Sequence, residues 1–161
     1  MKNLSVFFVS TIIFFYTSFL HSYSSDPKNF IEELVNEAIN TLSNKDLNKD
    51  EKSKIIEKIA LENVDIDALG LYTLGELRKS SNTQDLLKYK VAFEKYFLKT
   101  LTSRLTDYSS SNFIIFDSDK KSSNYTIINS KIAPDNGDPE IKINWRVYTK
   151  NPEKPLIRDL I

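Results

Sequence analysis

The segment Thr83–Tyr108, TQDLLKYKVAFEKYFLKTLTSRLTDY, constrains this chain more than any other. Leu86, Tyr89, Phe93, Phe97, Leu101, Leu105 and Tyr108 recur at steps of three or four, which puts them on one face of a single long helix. Lys88, Lys90, Glu94, Lys95 and Lys99 fall mostly elsewhere, toward water. Thr83 is placed to cap the helix start, and Asp85 puts negative charge in its first turn. Two Phe and two Tyr on one stripe make a large apolar surface that needs a cover. Either an ordinary core supplies it, or a bound ligand supplies part of it.

Three shorter helices precede this one. Asp26-Pro27 is a cap residue followed by Pro at the first helical position, and Phe30, Ile31, Leu34, Val35, Ala38, Ile39 and Leu42 give the helix an apolar face. A polar connection leads to a second helix over about Lys52–Glu62, with Ile55, Ile56, Ile59 and Ala60 inward. Asp65 caps a third, in which Leu69, Tyr72, Leu74 and Leu77 are apolar. Gly70 and Gly75 each cost that helix about 1 kcal/mol relative to Ala, so each implies either close packing or a break. Ser80-Ser81-Asn82 ends it.

Beyond Ser111 the period of the apolar residues changes from helical to two. Phe113–Phe116 reads as a short strand, Asp117–Asn124 as a polar turn and Tyr125–Ile132 as a second strand. Ala133–Pro139 is dense in turn residues. In Glu140–Thr149, Ile141, Ile143, Trp145 and Val147 alternate with Lys142, Asn144, Arg146 and Tyr148, as an antiparallel sheet with one covered face requires. Leu156–Ile161 begins a fourth strand. The expected fold class is α+β: N-terminal helices, one long central amphipathic helix, then an antiparallel sheet of about four strands whose Ile141, Ile143, Trp145 and Val147 face that helix. The sequence stops within an apolar run, LIRDLI, which suggests that part of the domain follows.

Residues 1–24 read as a secretory signal peptide: Lys2, an uncharged apolar run over Leu4–Leu20, then small residues at Ser22 and Ser24, with cleavage expected after Ser24. The competing reading is an uncleaved anchor, since a run of about 17 residues lies at the lower edge of what spans a bilayer. The domain then covers residues 25–161. Removal of the leader also removes His21, the only histidine, and there is no cysteine. Ser–His and Cys–His nucleophile pairs and imidazole or thiolate metal sites are then excluded, so no metal is expected. The pairs Asp65 with Asp67 and Asp117 with Asp119 read better as caps and solvated turn charges than as acid–base machinery. Twenty-two basic residues against 22 acidic ones argue against a nucleic-acid partner.

LGELRKSS at Leu74–Ser81 followed by FEKYFLKTLTSRLTDYS at Phe93–Ser109 resembles the MlaC family, the toluene-tolerance auxiliary proteins. The family's Arg-Leu-x-x-Tyr-Ser-like signature stands here as Arg104-Leu105-Thr106-Asp107-Tyr108-Ser109, and WRVYTK at Trp145–Lys150 and Asp159 in the last strand also match. Two departures are visible: Leu77 stands where the family has an aromatic, and the family's segment beyond the last strand has no counterpart here. The resemblance implies a periplasmic phospholipid carrier, exported by its signal peptide. Such a carrier shuttles glycerophospholipid between an outer-membrane lipoprotein complex and an inner-membrane ABC transporter and so maintains outer-membrane asymmetry. It implies no enzyme activity and no cofactor, an apolar cavity between helices and sheet, and a protein acting as a monomer. On this reading Phe93, Phe97, Leu101, Tyr108, Ile143, Trp145 and Val147 line the lipid pocket. Arg104 and Arg146 are candidates for its mouth, although Arg104 can equally tie the helix end to the sheet and Arg146 can be solvated. Two alternatives stay open: another apolar cargo such as a hopanoid, and a small cone-shaped-cavity enzyme using Asp107 or Asp159.

Overall fold

The computed structural model describes residues 23–105, 111–134 and 139–161. Among them are five helices, α1 (Pro27–Ser43), α2 (Lys49–Asn63), α3 (Ile66–Thr73), α4 (Leu77–Ser80) and α5 (Thr83–Leu105). Four strands follow, β1 (Ser111–Lys120), β2 (Tyr125–Pro134), β3 (Ile141–Tyr148) and β4 (Leu156–Leu160), in one antiparallel sheet of order β1-β2-β3-β4. The α+β expectation holds. The leader segment 1–22, with His21, lies outside the described residues, as do Asp107 and Tyr108.

Caps set the helix starts. Asp26 accepts from the N–H groups of Lys28 and Asn29 at 3.0 Å each and starts α1. α2 begins three residues earlier than its apolar pattern, because Asn48 and Glu51 form a reciprocal capping box over the polar first turn. α5 is capped by Asn82, not Thr83: the Asn82 amide oxygen accepts from Asp85 N–H at 2.9 Å.

The two glycines have different jobs. Gly70 is a close approach, since a Cβ there would lie 2.8 Å from Phe93 Cδ1 on α5. Gly75 is a break: its φ of 53° ends α3, and the chain restarts as α4. The third helix of the sequence reading is therefore two pieces, and Tyr72 and Leu77, read there as part of its apolar set, are exposed.

β1 also differs from expectation. It continues through the polar residues to Lys120 after an irregularity between Ile115 and Asp117. Pairing with the ten-residue β2 outweighs the turn-like composition, and Asn129 Nδ2 donates to Asp117 Oδ2 at 2.8 Å across the ladder.

The core lies where α1 crosses the sheet. Phe30 and Ile31 of α1, Ile128 of β2, Val147 of β3 and Ile157 of β4 are fully buried together. Each such side chain contributes about 1.5–3 kcal/mol through burial. α1 packs on β1 and β2, while α5 packs on α3 and α2. The central helix thus does not lie on the sheet, as the sequence reading had it. α1 does, and α5 stands across a gap.

Candidate apolar cavity

That gap is a cavity of about 270 Å³. α1 contributes Leu34, Val35, Ala38, Ile39 and Leu42; α2 contributes Ile56, Ile59 and Ala60, with Val64 just beyond. Phe97, Leu101 and Leu105 form the α5 wall. The sheet supplies Ile132, Ile141, Ile143, Trp145, Ile157 and Leu160. Among the described residues the lining carries no charged side chain. Ile141 is 39 % exposed and Leu160 41 % exposed although both line the cavity, so it opens to solvent at that end. Phe30, Ile128 and Val147 belong to the fully buried core and do not line it.

The local sequence explains this wall. Residues at odd positions of β3 and even positions of β2 share the inner face, because register pairs Ile143 with Ser130 and Ile141 with Ile132. Among the described lining residues, Trp145 is the one whose side chain has a polar atom. Its Nε1–H donates to Ser130 Oγ at 2.7 Å, and Ser130, fully buried, donates in turn to the Ile143 carbonyl at 3.2 Å. The indole is thereby satisfied within the sheet and presents only hydrocarbon to the cavity. Phe113 stands edge-on to it, centroids 6.4 Å apart.

The α5 stripe is divided between two tasks. Tyr89, Phe93 and Phe97 stack in series, with centroids 5.8 and 6.2 Å apart. Phe93 seats on Gly70, and the Tyr89 hydroxyl shares a 2.7 Å hydrogen bond with Thr73. This upper half fastens α5 to α3. Phe97, Leu101 and Leu105 turn toward the cavity.

Of the residues singled out from sequence, Phe97, Leu101, Ile143 and Trp145 meet at the cavity, Phe93 packs against α3, and Val147 sits in the buried core. Tyr108 lies outside the described residues. Arg104 is exposed on the last turn of α5, next to Leu105. Arg146 lies on the face of β3 opposite Trp145. There it pairs with Asp159 at 3.3 Å, and its guanidinium lies 5.7 Å from the Tyr125 ring centroid. Alternation along the strand removes it from the mouth. Sequence reasoning missed the α1 and α2 walls, whose apolar faces read as ordinary core.

The carboxylate pairs have structural partners. Asp65 caps α3 through Ala68 N–H and accepts from Arg158 Nε at 2.8 Å. Asp67 pairs with Lys90 at 2.7 Å, and Asp119 with Lys121. Among the described residues no group of His, Cys, Asp and Glu is placed to hold a metal ion. Nor is any described helix long and apolar enough to cross a membrane.

A family model described as MlaC protein matches residues 32–161. A search of solved structures returns a phospholipid-binding protein from Ralstonia solanacearum, determined in complex with a phospholipid. It is 13 % identical with a TM-score of 0.67, over 84 % of this chain and 76 % of that one, a likeness of fold. A comparison with curated proteins finds no match.

Proposed function

This chain belongs to the MlaC family, and from that premise we propose that it is a periplasmic phospholipid carrier. It holds acyl chain in the cavity between α1, α2, α5 and the sheet, with the headgroup at the open end. The observation that carries this reading is that the described residues of the lining, from Leu34 of α1 to Leu160 of β4, are all apolar. Such a wall satisfies no polar cargo and excludes none of the hydrocarbon ones.

Dimensions support it. From Ile141 to Trp145 β3 advances about 14 Å at about 3.4 Å per residue. From Phe97 to Leu105 α5 advances about 12 Å at 1.5 Å per residue. One leaflet of a bilayer's hydrocarbon core is about 15 Å thick, so the lined walls match the length of one leaflet's chains. Exposing a 16-carbon chain to water costs on the order of 12 kcal/mol at about 0.8 kcal/mol per methylene. A carrier removes that barrier by replacing water with side chains along the route. The family's exchange between an outer-membrane lipoprotein complex and an inner-membrane ABC transporter then supplies direction. The carrier has no need of catalysis or cofactor.

The test is organic extraction of protein purified from the periplasm, followed by mass spectrometry. Phospholipid near one equivalent is expected. A folded protein yielding no lipid, or yielding a hopanoid, overturns the reading. Phe97→Asp places a carboxylate in the wall at a half-buried position that the core does not depend on. It should lower recovered lipid at least tenfold while the far-ultraviolet circular dichroism is unchanged.

A further inference from the structure

The cavity takes one side of α5 and leaves another to solvent. At about 100° per residue, the wall residues Phe97, Leu101 and Leu105 follow one another around the helix within about 80°. Continuing in the same direction, Leu87, Leu98 and Val91 form an aliphatic row within about 40° of Leu105. Leu87 and Val91 are each 59 % exposed, and Leu98 is half-buried. The next row is Lys95, Lys88 and Lys99, all exposed and rising about 16 Å along the helix. Two carboxylates border this strip, Glu94 beside the aliphatic row and Asp85 beyond the lysines, 3.8 Å from Lys88.

An aliphatic row beside a lysine row on one convex helix face is the arrangement of helices that lie in a bilayer interface. The short aliphatic side chains settle at the acyl boundary. The lysine stems cover further apolar surface while their ammonium groups reach the phosphates. Two observations select an anionic bilayer as the occupant. The lysines supply the complementary charge, and the aliphatic row is continuous with the cavity wall at Leu105.

We propose that this strip of α5 docks the protein on an anionic lipid surface, with Leu87, Val91 and Leu98 at the acyl boundary and Lys88, Lys95 and Lys99 on the phosphates. Docking in this orientation brings the cavity wall of α5 to the edge of the bilayer. The proposal rests on the carrier reading for its role, since a carrier's cargo enters from and leaves to such a surface.

The chain has no cysteine, so Val91→Cys accepts a single solvent-sensitive fluorophore. Ile114→Cys is the control, because Ile114 is exposed and its neighbour Ile115 pairs with the inward Ser130, which puts Ile114 on the outer face of the sheet. Labelled protein is mixed with vesicles of phosphatidylcholine alone, or of phosphatidylcholine and phosphatidylglycerol in equal parts. A blue shift is expected from the label replacing Val91 with the anionic vesicles only, and none from the label replacing Ile114. Each lysine near an anionic surface is worth roughly fivefold in binding, so Lys95→Gln with Lys99→Gln should weaken it about 25-fold. Added salt should weaken it in the same direction. Equal binding to the neutral vesicles, equal shifts from both labels, or unchanged binding by the lysine double variant overturns the proposal. A shift with polyglutamate and none with vesicles overturns it in favour of an acidic protein partner. Phospholipid-loaded protein that gives no shift overturns the docking and leaves the carrier reading standing. A shift from protein that yields no lipid on extraction leaves the docking and overturns the carrier.

Discussion

Ser130→Ala tests the inner wall of the sheet with one atom. Ser130 is fully buried, and its Oγ accepts from Trp145 Nε1 at 2.7 Å while donating to the Ile143 carbonyl at 3.2 Å. Alanine fits the same space, so the loss is the hydrogen bond and not the packing. The indole N–H then points into apolar surroundings without a partner, at a cost of about 1–3 kcal/mol. For a domain of this size 1 kcal/mol moves the melting temperature by roughly 4 °C, so a fall of about 4–12 °C is expected. Trp145 is the only tryptophan, and its emission therefore reports on this one position. Thermal melts followed by circular dichroism give the stability change, and fluorescence shows whether the ring has turned. A double-mutant cycle isolates the bond: in a Trp145→Phe background, which has no N–H to satisfy, Ser130→Ala should cost clearly less. Equal penalties in both backgrounds, or a melt within 1 °C of the parent with unchanged emission, would refute the account.

Gly70→Ala should destabilise the protein despite a gain of about 1 kcal/mol in helix propensity. The new methyl would lie 2.8 Å from Phe93 Cδ1, and overpacking of that kind costs about 1–3 kcal/mol. Melts should recover in part when Phe93→Leu is added. Gly75→Ala meets no neighbour within 4 Å, so its cost is conformational alone, about 1–2 kcal/mol for a non-glycine residue at a φ of 53°; Phe93→Leu should leave that cost unchanged. Burial first, then the hydrogen bond to Glu37 and the charges of Glu37, Glu62 and Glu33, push the Tyr23 phenol above its ordinary 10.0. The folded state keeps a proton that the unfolded state releases, so this stabilisation is complete below about pH 10 and declines as pH rises above it. Denaturant unfolding between pH 9 and 11.5 should show that decline, and Tyr23→Phe should flatten it.

The helices were legible because their signals are local. Asp26-Pro27, the apolar spacing of Phe30–Leu42 and the three-four repeat of α5 each depend on residues within a turn or two. The strand alternation of Ile141–Val147 gave the inner face of β3 for the same reason. β1 was cut short because its second half is polar, and only a partner strand reveals that Asp117–Lys120 are paired. The meaning of Gly70 and Gly75 was equally hidden: one answers to a ring on another helix, the other to a backbone angle.

For the cavity, the chain's pattern determined which residues are apolar and which share a face. Phe97 and Leu101, and Ile143 and Trp145, followed from period alone. What lies opposite each face is a matter of tertiary packing. α1 took the position over the sheet that the sequence reading assigned to α5, so Val147 became buried core and Leu34, Ile39 and Ile59 became cavity wall. A buried leucine and a cavity-lining leucine obey the same periodicity. Only the distance to the next layer separates them, and that distance is set where helices and sheet meet.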